Sequence, residues 1–264
     1  GHPNSTPLIL KSEKYKKQQF QGRNDFKYVY SDHLQVMPRS MFCFCETVEK
    51  VILPNLSEMD EYDFGLYVSD ENFYNCSKLS KFCAPKLQNV SCGCFQQCDA
   101  IKHIILCKVT KLGNSAFSGC AILKRAVFPN LIQLESLAFF NCLLLEEFDA
   151  PQLKMSQSQP FYYCPSLKYV SVPDYVSFSC STNCQVCFIC GGEVKETLNR
   201  GRQLVKRPMV KFMGKTFNSW MHLDLKVEKL NRVKNGRKLS VVELAGQLWQ
   251  ACDLLEMIEN DGVE

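Results

Sequence analysis

The chain has 264 residues, 46% of them apolar and 22% charged, with a formal net charge of +4. Thirteen Gly and 11 Pro with no short period, and a mean hydropathy of −0.15, exclude a collagen and an intrinsically disordered chain. The uncharged stretch Ser136 to Leu145 is about half of the roughly 20 residues that a membrane-spanning helix needs, and Pro7-Leu8-Ile9-Leu10 is too short for a signal-peptide core, so neither is expected.

In chain order, the first apolar series is Phe20, Phe26, Val29, Leu34 and Met37, which reads as a degenerate copy of a repeating unit. A clear copy of that unit comes next at Phe42, Cys45, Val48, Val51, Leu53, Pro54 and Leu56. After an insertion of nine residues, placed around residues 57–65, the unit recurs with a fixed period. Cys76, Cys98, Cys120, Cys142 and Cys164 fall 22 residues apart, and Phe73, Phe95, Phe117, Phe139 and Phe161 each stand three positions before one of them. Leu79, Ile101, Leu123, Leu145 and Leu167 follow each Cys by three, and Pro85, Pro129, Pro151 and Pro173 end an alternating apolar stretch, with Cys107 in the Pro place once. A unit this short cannot bury its own apolar face, so copies must stack, with equivalent residues about 4.8 Å apart in a parallel sheet. The expected strands lie near 48–53, 79–84, 101–106, 123–128, 145–150 and 167–172.

Beyond the repeats, Cys180, Cys184, Cys187 and Cys190 crowd into eleven residues. The first reading is a decayed coil with Cys187 in the ladder; zinc is the lesser alternative, because thiolate zinc sites use two Cys pairs separated by a longer loop. Residues 195–238 carry thirteen Lys/Arg against three Asp/Glu, whereas 239–264 carry six Asp/Glu and no Lys/Arg. Ser240 and Glu243 form a capping box ahead of Val241, Leu244, Ala245, Leu248, Cys252 and Leu255, an amphipathic helix suited to cover a solenoid end. The division is an N-terminal segment with a degenerate capping repeat (1–38), a solenoid (39–176), a Cys-rich decayed repeat (177–194) and a basic segment plus capping helix (195–264).

The runs Ala-Phe-Ser-Gly-Cys-Ala-Ile-Leu-Lys-Arg-Ala-Val-Phe-Pro-Asn-Leu (116–131) and Ala-Phe-Phe-Asn-Cys-Leu-Leu-Leu-Glu-Glu-Phe-Asp-Ala-Pro-Gln-Leu (138–153) resemble the BspA-type leucine-rich repeat. The resemblance covers roughly residues 40–176. It implies an α/β solenoid of horseshoe type, with a parallel sheet on one face and short turns or 3₁₀ pieces carrying Phe-x-x-Cys on the other; the small C-terminal helical or mixed module lies outside the resemblance and is read from the sequence after residue 194 alone. It also implies a binding scaffold, not an enzyme. Family members include bacterial surface adhesins and many proteins of parasitic protists.

The sequence offers no phosphate loop, no H-E-x-x-H and no G-x-S-x-G, and its four His are not placed for catalysis. The outward strand residues Lys102, His103, Ile105, Lys124, Arg125, Glu146, Glu147, Lys168, Tyr169 and Ser171 are the candidate contacts for a protein partner. The alternative is nucleic acid or anionic lipid bound through Arg200, Arg202, Lys206, Arg207, Lys211 and Lys215. The ladder cysteines are read as apolar filling and no cofactor is expected. Sixteen thiols favour a reducing, cytoplasmic location. A cell-surface or secreted adhesin is the alternative if a signal sequence precedes Gly1.

Overall fold

The computed structural model describes residues 7–60 and 71–179. Two series of short strands run through them. The first is β1 (Leu8–Ile9), β2 (Tyr28–Tyr30), β4 (Lys50–Ile52), β6 (Lys81–Cys83), β8 (His103–Ile105), β10 (Arg125–Val127), β12 (Glu147–Asp149) and β14 (Tyr169–Ser171). The second is β3 (Val36–Met37), β5 (Glu58–Met59), β7 (Asn89–Val90), β9 (Lys111–Leu112), β11 (Gln133–Leu134) and β13 (Met155–Ser156). All pairings are parallel, and neighbours typically differ by 22 residues, as in Arg125 opposite Glu147. An informative exception is Lys50 opposite Lys81. Met59 still pairs with Met37 in register, so the extra residues come after Asp60 instead of beginning at Ser57; they fall in the segment 61–70, outside the described residues.

The architecture is a parallel β-solenoid of about seven turns. Its longer strands are three residues long, half the expected six, because each alternating stretch bends into the corner at both ends. Among the described residues there is no helix, so the α part of the expected α/β class is not seen: turns and the second strand series close each coil. That second series is absent from the expected strands. Its inner residues Met37, Met59, Val90, Leu112 and Leu134 are fully or nearly fully buried, each three residues after an apolar corner residue.

Each coil is fixed at the Phe-x-x-Cys turn. Seven rings from Phe20 to Phe161 stack one over the next, at centroid distances of 5.0–5.6 Å and interplanar angles of 4–16°. That spacing is close to the rung repeat, so identical side chains at a fixed period produce a continuous stack without a fitted jigsaw. The turn itself needs a left-handed residue two positions after the Phe: Gly22, Phe44, Asn75, Gln97, Gly119, Asn141 and Tyr163 all have φ between 54° and 74°. Gly and Asn occupy four of these places at low cost.

The cysteines do more than fill space. The thiols of Cys45, Cys76, Cys98, Cys120, Cys142 and Cys164 donate to the carbonyls of Phe20, Phe42, Phe73, Phe95, Phe117 and Phe139 in the preceding coil, at 2.9–3.2 Å. The same kind of carbonyl also accepts the N–H of its own coil's Cys, as Phe117 does from Cys120 at 3.2 Å. A side chain that is apolar in bulk yet carries one weak donor satisfies both needs of the position. None of the described cysteines is in a disulfide.

One coil contact is tight enough to test. A Cβ on Gly113 would lie 2.7 Å from the Cys92 nitrogen and 2.8 Å from the Ser91 carbonyl carbon, both main chain of the preceding coil. Gly113→Ala should therefore destabilise by about 1–3 kcal/mol, read as a lower urea midpoint at unchanged slope. An unchanged midpoint would mean that the coils separate there at no cost.

Candidate sheet-face interaction site

In the longer strands the middle residue points into the core and the flanking two point out, so seven strands present two outward rows. The first row is Tyr28, Lys50, Lys81, His103, Arg125, Glu147 and Tyr169; the third-position row is Tyr30, Ile52, Cys83, Ile105, Val127, Asp149 and Ser171. The hydrogen-bonded ladder is continuous from β1 to β6 and again from β8 to β14, while the Phe stack runs on across the break.

The residues expected to meet a partner all lie on or beside these rows. Lys102, Lys124, Lys168 and Tyr169 are exposed, whereas His103, Arg125, Glu146, Glu147 and Ser171 are half-buried. Ile105 is outward in the alternation but buried. Cross-strand partners follow from the register: Arg125 Nε lies 2.6 Å from Glu147 Oε2, and Lys168 Nζ 3.7 Å from Glu146 Oε2. The face is divided by sign. Lys50, Lys81, Lys102, Lys124 and Arg125 make its middle coils basic, and Glu146, Glu147 and Asp149 make the next coil acidic.

Three features escape the sequence reading. The rows extend back to Tyr28, Lys50 and Lys81, which the 22-residue register, with the insertion allowed for, would have located. A second surface, at the Phe-x-x-Cys turns, collects Phe140, Tyr162 and Tyr163 in mutual ring contact, and Leu143 and Leu144, just after Cys142 in the chain, are exposed. The third is Asp149, an acid where the equivalent places hold Ile, Cys, Ile and Val. It is 3% exposed, and its Oδ2 has no hydrogen-bond partner among the described residues.

Burial pushes the Asp149 carboxyl above its ordinary value, and the nearby charge of Glu147 adds to this; the Ser171 hydroxyl and the charge of Arg125 oppose it. A folded-state value above the unfolded one means the native protein holds this proton more tightly, so stability declines as pH rises from the unfolded carboxylate range through the folded value. Asp149→Val, which continues the row of Ile105 and Val127, should stabilise the chain at pH 7 by about 1–3 kcal/mol. The gain should shrink on acidification; a gain independent of pH would show that Asp149 titrates normally.

Burial keeps most of the ladder thiols protonated. Burial raises Cys45 to about 11 and Cys120 to about 12, and holds Cys76, Cys98 and Cys142 well above the ordinary thiol range. A thiol that stays protonated and covered is a poor nucleophile and a poor metal ligand. Among the described residues no group of His, Cys, Asp and Glu is placed to hold a metal. The cluster Cys180, Cys184, Cys187 and Cys190, the basic residues Arg200 to Lys215 and the amphipathic segment after Ser240 lie outside the described residues. Among the described residues no helix is long and apolar enough to cross a membrane.

The fold is shared with bacterial proteins. A leucine-rich repeat protein of T. pallidum aligns at 20% identity with a TM-score of 0.50, over 63% of this chain and 72% of that one. One from Eubacterium ventriosum aligns at 17% identity with a TM-score of 0.54, over 65% of this chain but 45% of that one, so the present chain spans less than half of that relative. No curated protein matches. Nothing in these likenesses supports the cytoplasmic location expected from the thiols. Residues 66–187 match the BspA type Leucine rich repeat region in six copies. By that match, the region that holds most of the Phe stack, the thiol ladder and the parallel strands is a BspA-type leucine-rich repeat region.

Proposed function

We propose that this protein is a non-catalytic scaffold that binds a protein partner on the outward face of its longer strands. The observation that carries the reading is the pair of rows, in which charged and aromatic side chains are held at rung spacing on a rigid sheet. Such a mixture, with Tyr28 and Tyr169 near its two ends, is the composition of protein-binding surfaces, where a few aromatic and Arg anchors supply most of the affinity. A repeat region of a type typically used for protein recognition points the same way.

The test is quantitative co-purification of the full-length protein from its native cell, beside a Lys102→Ala/His103→Ala/Tyr169→Ala variant. These substitutions remove outward side chains and leave the core untouched, so the fold should persist. A partner retained by the parent and reduced at least about tenfold with the variant is the expected result. Equal recovery would move the interaction off this face.

A further inference from the structure

The third-position row is apolar or aromatic from Tyr30 through Val127 and then breaks at Asp149. The carboxyl is almost wholly covered, and although the Ser171 hydroxyl and the charge of Arg125 favour its charged form, Oδ2 has no donor among the described residues, which costs the fold stability. A small apolar side chain would fill the same place, as Val127 does one coil earlier. Defects of this kind collect where a binding requirement overrides stability.

We propose that Asp149 receives a cationic side chain of the protein partner, with arginine the best fit; this rests on the sheet-face reading and names the chemistry of its anchor. Asp149 takes an outward position in the strand alternation, and its covered Oδ2 is an acceptor without a donor among the described residues. Its surroundings select the sign of that donor. Glu147 lies two residues away on the same side of β12, and Glu146 precedes it. Arg125, the nearby cation, is engaged by Glu147 at 2.6 Å, so its charge is already matched.

The neighbours of Asp149 in the row are Val127 on one side and the half-buried Ser171 on the other, so the approach is over Ser171, toward the last coil. Tyr169, in the first row of that coil, is 50% exposed. A planar guanidinium can rest on such a ring while its N–H fork meets a carboxylate, a combination that an ammonium makes less well.

The test uses an array of short peptides, each with a single Arg and each paired with a twin in which citrulline, neutral and of the same shape, replaces it. The full-length protein should bind a subset of the Arg peptides at least about tenfold more tightly than their twins. Asp149→Asn should reduce that ratio to about one while its melting temperature stays at or above the parent's, which separates lost recognition from lost fold. An unchanged ratio in Asp149→Asn, or no Arg preference in the parent, overturns the cationic anchor. The sheet face is read independently through Tyr169→Ala. Peptides that ignore Asp149→Asn but weaken with Tyr169→Ala leave the face standing without this anchor; peptides indifferent to both remove the face as well.

Discussion

Phe117→Ala should lower stability by about 3–5 kcal/mol, more than any other single substitution proposed for this protein. Its ring is fully buried and stacked on both sides, 5.0 Å from Phe95 and 5.4 Å from Phe139, with Phe128 at 6.0 Å. Removing it opens a cavity at the middle of the stack, and in a solenoid each coil has only its neighbours to lean on. The damage should therefore also split the unfolding transition, with the coils on either side losing their coupling. Phe20, at the end of the stack and with a single stacked neighbour, Phe42, should cost clearly less when truncated. Urea titrations of both variants, followed by circular dichroism, give the comparison. Equal costs would show that stacking between coils is not what holds the solenoid together.

In the folded protein the six ladder thiols should react with a thiol reagent at least about a thousandfold more slowly than Cys92 and Cys107, with rates limited by opening of the core. The ladder sulfurs are fully buried and hydrogen-bonded, and the raised values of Cys45, Cys76, Cys98, Cys120 and Cys142 leave almost no thiolate near neutral pH. Cys92 and Cys107 are partly exposed. Peptide mapping by mass spectrometry after timed labelling reads each site. The two predictions are linked: in Phe117→Ala, labelling of Cys98, Cys120 and Cys142 should accelerate most. Rapid labelling of the ladder in the parent would mean that the core opens without global unfolding. This protection does not depend on compartment, so ladder thiols alone do not argue for a reducing one.

Legibility in the sequence differs from residue to residue. The Phe and Cys at period 22 reveal the coil, the stack and the burial of both ladders, because a residue that recurs at the rung spacing must meet its own copy. Strand length is overestimated, since alternation continues into corners where the backbone no longer pairs. The second strand series carries its own signal in Met37, Met59, Val90, Leu112 and Leu134, but two-residue strands barely differ from turns in sequence.

The sheet face is legible only as a set of outward positions. Which of them pair depends on register: Arg125 and Glu147 are 22 residues apart in sequence and 2.6 Å apart in space. Asp149 is the clearest case. The stacking of coils with ladders of equivalent residues can be read from the amino-acid order alone, because a short unit repeated at a fixed period must place each residue over its own copy. That Asp149 is covered and short of a donor becomes visible only in three dimensions, since burial and hydrogen bonding belong to the assembled coils and to no single one.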